Sequence, residues 1–309
     1  DAQESRGLGD VYKRQPFATG FDDSGWEVIS IPHGLEYLPI EASGCANYQG
    51  VAWYRKRFTL DSRLKGKQLF IHFEAIMGKS EVYVNGKLLK KQYGGYLPVI
   101  LDVTNELDWD GENVIAVKAD NSDDPSYPVG KPQNLLDFTY FGGIYRDCWL
   151  VAHNKVFITN ANYENEVAGG GLFVSFADVS EKSAIVNLKA HVRNLSEKNE
   201  RVTVTFNLKN KSGEVVKQVF KKVSVRKGKA GYAVASIGID SPSLWSPETP
   251  YLYNLDVTVT TDAGTVVDGY RQRVGIRSIE FKQTKGLWIN GKPYDEKLMG
   301  TNRHQDFAV

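Results

Sequence analysis

Gly286-Leu287-Trp288-Ile289-Asn290-Gly291-Lys292-Pro293-Tyr294-Asp295-Glu296-Lys297-Leu298-Met299-Gly300-Thr301-Asn302-Arg303-His304-Gln305-Asp306 stands near the end of a chain of 309 residues. Leu287, Trp288 and Ile289 make an apolar strand. Asn290-Gly291 is a hairpin signal, because both residues accept a positive φ. A second strand is expected to return through Tyr294 to Met299, although Asp295-Glu296-Lys297 makes it unusually polar. Gly300 then lets the chain turn into a run of hydrogen-bonding side chains from Asn302 to Asp306. Such a run is costly to bury as mere packing. A polar run at the C-terminal end of a strand is where an α/β barrel keeps its chemistry.

Upstream, the chain reads as short strands. Val51 to Phe58 alternates ring and charge, as a half-buried strand does. Leu69 to Glu74, Ser80 to Val84 into Asn85-Gly86, Val99 to Val103 and Glu112 to Lys118 follow at close spacing. Gly, Pro and Asn-Gly turns at such intervals mean an antiparallel sandwich or barrel. Ser183 to Arg193 and Arg201 to Leu208 alternate cleanly, and Glu214 to Val225 and Gly231 to Ile239 add strands. About seven strands in ~120 residues fit an immunoglobulin-like sandwich. Helical periodicity is nearly absent. Asp22-Asp23-Ser24-Gly25 is turn chemistry, ahead of an apolar strand expected to end at Pro32-His33.

Composition excludes several classes. The balance of 38 basic and 37 acidic residues argues for neither nucleic acid nor an anionic membrane as partner. No apolar run approaches ~20 residues. Six Trp and sixteen Tyr suit β-sheets and also the stacking of rings on sugars. Cys45 and Cys148 show no metal-ligand spacing and cannot build a disulfide framework. Ser5 to Gln15 resembles translated sequencing-library adapter sequence, so residues 1–15 are set aside as a non-native or disordered tail.

The ordered phrases resemble glycoside hydrolase family 2, the β-galactosidase, β-glucuronidase and β-mannosidase group. They are Phe21-Asp22-Asp23 with Trp26, Trp53-Tyr54-Arg55, Phe73-Glu74 with Val82-Tyr83-Val84-Asn85-Gly86, Gly142-Gly143-Ile144-Tyr145-Arg146-Asp147, Leu244-Trp245-Ser246-Pro247 and Gly300 to His304. The resemblance implies a jelly-roll, galactose-binding-like sandwich over 16–153 and an immunoglobulin-like β-sandwich over 154–278. Residues 279–309 would be the first strand of a truncated (β/α)8 barrel. It implies a retaining exo-β-glycosidase acting by a two-glutamate double displacement. Arg303-His304-Gln305-Asp306 leans toward the β-galactosidase branch.

Both catalytic glutamates are expected beyond Val309, so no glutamate here, Glu74 and Glu81 included, is assigned as catalytic, and the chain alone is expected to be inactive. His304 is expected to face the sugar, Arg303 to orient carboxylates, and Asp306 to lie near the sugar pocket. The loop from Asp120 and Asn121 through Asp123 and Asp124 is expected to reach toward the barrel and supply a sugar-contacting group. Arg146 and Asp147 are expected to pair with each other. No cofactor is assigned; the resemblance leaves room for a divalent or monovalent cation in the rest of the barrel. The implied partner is a carbohydrate substrate, with homo-oligomer formation open. The competing class is a non-catalytic carbohydrate-binding or adhesin protein of two tandem β-sandwiches, which leaves the Gly300 to Asp306 run without a purpose.

Overall fold

A computed structural model describes residues 15–35, 48–127, 130–132, 135–136, 142–295 and 300. The chain divides into two compact units, with the break between Ala152 and His153. The described residues are almost entirely β-structure, in sandwich sheets.

The first unit holds β1 (Val51–Phe58), β2 (Gln68–Phe73), β3 (Lys79–Val84), β4 (Lys87–Tyr93), β5 (Val99–Asp102), β6 (Asn113–Asp120) and β7 (Cys148–His153). One sheet runs β1-β6-β3-β4 and the other β5-β2-β7. The period of two along each strand decides which side chains meet between them. Leu69, Ile71 and Phe73 of β2 join Val82 and Val84 of β3, Val99 and Leu101 of β5, and Val117 and Ala119 of β6 in one buried cluster. Cys148 is a half-buried free thiol, and burial pushes it up to about 12. It is therefore protonated and unreactive near neutral pH. Cys45 lies outside the described residues.

The expected strand before Pro32-His33 does not form. Residues 27–30 have no ladder partner, and Val28 is 97% exposed. Side chains of the sheet hold the stretch before it, residues 16–23. Arg55, on β1, donates to Asp23 Oδ2 at 2.8 Å, to the Ala18 carbonyl at 3.0 Å and to the Pro16 carbonyl. Phe17 stacks on Tyr83, with ring centroids 4.7 Å apart. Asp22 does make the expected turn, accepting from the Ser24 amide at 3.0 Å.

The second unit begins with β8 (Val156–Ile158), a single-turn helix α1 (Ala161–Glu164) and β9 (Leu172–Ala177). Then come β10 (Ser183–Asn194), β11 (Glu200–Lys209), β12 (Val215–Val225), β13 (Ala230–Asp240), β14 (Tyr253–Thr261) and β15 (Val266–Val274). One sheet runs β13-β10-β8, with β9 also on β10; the other runs β12-β11-β14-β15. Val202, Val204, Phe206 and Leu208 alternate inward along β11 and meet Val186, Leu188 and Ala190 of β10 in the core. A small sheet of β16 (Ile279–Phe281), β17 (Leu287–Ile289) and β18 (Lys292–Pro293) follows. Asn290 takes φ 51° and Gly291 φ 76°, the left-handed pair that a two-residue hairpin requires. The returning strand is described only over Lys292–Pro293, with the Tyr294 amide donating to the Leu287 carbonyl at 2.8 Å.

Candidate functional site

β6 ends in Asp120, which its register places opposite Lys79 of β3 and Val51 of β1. The chain leaves the sheet there, and Asn121 and Asp120 take different roles. Asn121 is 1% exposed. Its Oδ1 accepts from the Gly50 amide at 3.0 Å, and its Nδ2 donates to the Tyr48 carbonyl at 2.6 Å. Its backbone amide donates to the Gly50 carbonyl at 3.2 Å. Asn121 therefore ties the segment entering β1 to the end of β6. A Cβ on Gly142 would lie 2.5 Å from Asn121 Nδ2, so the turn passes over this amide only because it carries no side chain. Gly142, Gly143 and Ile144 accept from Leu35, Met77 and His33 respectively, at 2.9, 3.0 and 2.8 Å. The Gly-Gly phrase is thus the joint that gathers two segments, 33–35 and the one at Met77, at this end of the sandwich.

The carboxylates of the loop are all engaged. Asp120 Oδ1 accepts from the Ser122 amide at 3.0 Å. Burial works to raise the Asp120 carboxyl, but Ser122 together with the Lys79 and Lys118 charges outweighs it and holds the group below its ordinary value. Asp123 accepts from Gln49 Nε2 at 2.8 Å. Asp124 pairs with Lys79 Nζ at 2.7 Å and accepts from the Ser126 amide at 2.8 Å. Lys79 first, then Ser126, hold Asp124 down to about 2. Lys79 Nζ also lies 5.7 Å from the ring centroid of Tyr127, which sits 6.0 Å from Tyr93.

This rim can accept hydrogen bonds from hydroxyl groups, and Asp120 and Asp124 are poised as ionised acceptors. A glycosidase acid needs a raised pKa to be protonated near neutral pH. Asp120 and Asp124 are shifted the other way. Glu74 is lowered by Arg146 and Trp149. For Glu81, Lys91 and Tyr83 overcome the upward push of burial. Arg146 pairs with Glu74 at 3.0 Å, not with Asp147 as expected, because the Glu74 amide bonds to the Asp147 carbonyl and brings the two chains side by side. Among the described residues no cluster of three or more metal-ligating side chains occurs.

Arg303, His304 and Asp306 lie outside the described residues. Of the expected site residues, Asp120 and Asn121 are neighbours in sequence with separate tasks: a partly engaged carboxylate and a buried tie. The sequence reading missed Lys79, Gln49 and Tyr127. Lys79 had no signal, since it stands just before the strand read from Ser80 and only the fold pairs that strand with the one ending in Asp120. Gln49 and Tyr127 had none, because loop-to-loop contacts leave no period.

Two family models match the chain. Residues 23–154 match the sugar binding domain of glycosyl hydrolases family 2, and residues 172–277 match a second model described as glycosyl hydrolases family 2. A β-galactosidase of Thermoanaerobacter pseudethanolicus is 33% identical over 302 residues, covering 97% of this chain and 37% of that protein. The β-galactosidase BoGH2A of Bacteroides ovatus is 33% identical, covering 94% of this chain and 32% of its own length. The structure of Bacteroides uniformis β-glucuronidase 2 covalently bound to cyclophellitol-6-carboxylate aziridine superposes with a TM-score of 0.83 at 30% identity, covering 94% of this chain and 33% of that one. The chain spans about a third of the length of the curated relatives it matches.

Proposed function

The chain belongs to glycoside hydrolase family 2, and from that premise we propose that it is the N-terminal part of a retaining exo-β-glycosidase that cleaves terminal β-galactosides. The observation that carries this reading is the near-complete alignment of the chain with one third of two β-galactosidases. The run Arg303-His304-Gln305-Asp306 points the same way. In this reading the acid and the nucleophile, two carboxyl groups ~5–5.5 Å apart, belong to the remainder of the protein. The lowered carboxyls of the first unit support that division, since none suits the acid role. Asp120 and the loop beyond it would accept hydrogen bonds from substrate hydroxyls, and His304 would steady the developing charge at the sugar. Arg303 would hold neighbouring carboxylates in place, and Asp306 would stand beside the pocket.

A second reading, a β-glucuronidase, is favoured by the β-glucuronidase structure, which superposes over nearly the whole chain. A hydrolysis assay on chromogenic β-galactoside, β-glucuronide and β-mannoside separates the two. It should use the 309-residue chain and the same gene extended through a full barrel. The expected outcome is β-galactoside cleavage by the extended protein alone. Glucuronide cleavage would install the second reading. Activity in the 309 residues themselves would overturn the division of labour. A folded extended protein that cleaves none of the three would favour the tandem-sandwich binding protein.

A further inference from the structure

Within the second unit, the hairpin β17-β18 closes against the loop after β13 and leaves a cleft of about 410 Å³. That volume falls within the range of small-molecule sites, roughly 300–1,000 Å³. Its inner part includes Leu244 and Ile289, the latter 8% exposed. Its rim is polar. Lys292 Nζ bonds to Glu181 Oε1 at 2.6 Å, and Tyr294 donates its hydroxyl to Glu248 Oε1 at 2.9 Å. Asn290 shapes the cleft without being available to a ligand. Its Oδ1 accepts from the Ser278 amide at 3.1 Å, and its Nδ2 donates to the Trp245 carbonyl at 3.0 Å, which pins the hairpin to the loop.

We infer that this cleft is an accessory, non-catalytic site for a neutral pyranoside. A pyranose offers an apolar C–H face and an edge of hydroxyl groups, and the cleft is lined by Leu244 and Ile289 together with two carboxylates and an ammonium. A carboxylate has about four acceptor positions; Glu181 engages Oε1 with Lys292, while Glu248 accepts from Tyr294, Ser246 and its own backbone amide and keeps the remaining position. Lys292 holds Glu181 below its ordinary carboxyl value, and the backbone amide of Glu248 itself, then Ser246 and Tyr294, do the same for Glu248, so both are ionised acceptors for sugar hydroxyls near neutral pH. Two carboxylates against one ammonium leave the rim with a net negative charge, which disfavours a uronic acid. The inference stands apart from the proposed hydrolysis, because it concerns binding by the second unit alone.

The test is a titration of the isotope-labelled 309-residue chain, followed through backbone amide resonances. The probes are methyl β-D-galactopyranoside and methyl β-D-glucopyranosiduronate. The expected result is saturable shifts at residues 244–249 and 289–294 with the neutral sugar, and weaker binding of the uronate. Glu248→Gln and Glu181→Gln should each weaken binding about tenfold or more, the loss of one charged hydrogen bond, with the rest of the spectrum unchanged. No shifts at these residues, binding that both variants keep, or a preference for the uronate would overturn the inference. None of these outcomes depends on whether any glycoside is cleaved.

Discussion

The side chain of Asn121 has both polar atoms bonded to the backbone of Tyr48 and Gly50. An alanine there would leave the Gly50 amide and the Tyr48 carbonyl without these partners, at a cost of ~1–3 kcal/mol for each group left buried. Asn121→Ala should therefore lower the urea midpoint of the first unit by the equivalent of ~2–6 kcal/mol. The expectation fails if the midpoint does not move. Asp120→Asn should move it less, because it keeps a side-chain oxygen for the Ser122 amide and gives up only the attraction of the Lys79 and Lys118 charges. The contrast between these neighbours was not legible in the sequence, where both read as polar residues at a strand end. Gly78 is similar. It takes φ +84°, and a Cβ would come within 2.0 Å of the Asp120 carbonyl oxygen. Gly78→Ala should unfold the first unit or displace the end of β6, with loss of amide protection at Ala119 and Asp120 as the readout. Nothing in a single glycine between Met77 and Lys79 announces that another strand passes so close.

At the scale of elements, the strands of the second unit show the sequence at its most legible. Thr203, Thr205 and Asn207 alternate with Val202, Val204, Phe206 and Leu208, and the register follows from burying one set. The exposed side of that register carries a cross-strand set. Asn207 lies opposite both Gln218 and Asp256, and Asp256 lies opposite Arg271. Arg271 bonds to Asp256 at 2.5 and 2.9 Å, and Lys209 reaches it at 2.8 Å. Arg271 first, then Lys209, overcome burial and hold Asp256 at about 2, against an ordinary value of 3.8. A carboxyl lowered in the folded state stabilises the fold above its unfolded pKa, and the contribution disappears as pH falls through the folded value. The second unit should therefore lose stability between about pH 4 and pH 2, and Asp256→Asn should flatten that part of the profile. A parallel profile for the variant, measured by urea unfolding at each pH, would count against this assignment. Individual strands were readable, but Asp256 and Arg271 are 15 residues apart, and only the pairing of β14 with β15 makes them neighbours.

At the scale of the molecule, His153 to Gly300 forms a unit with its own core and its own closing hydrogen bonds. Asp268 accepts from the Ile158 amide at 2.7 Å, and Asn154 donates to the Val267 carbonyl, so the first strand is tied in from within the unit. Residues 153–295 expressed alone should fold, and their amide spectrum should overlay that of the same residues in the full chain. A collapsed spectrum would show that this core is not self-sufficient. The sequence by itself determined that the described residues are almost entirely β, the bounds of β1 and of β10 to β13 to within a residue or so, and which family the chain belongs to, while β4, β14 and β15 went unplaced. Those properties rest on alternation, turn residues and short phrases, all of which act within a few residues. Tertiary structure decided that 27–30 joins no ladder while Arg55 holds residues 16–23, that Asn121 is a tie, and that Arg146 pairs with Glu74. It also decided that Asn290, recognised as a turn residue, uses its side chain to join the hairpin to Trp245. Each of these contacts joins residues far apart in sequence. Their free energy comes from satisfying buried polar groups and filling space once the chain has closed on itself, and no local period of the sequence encodes it.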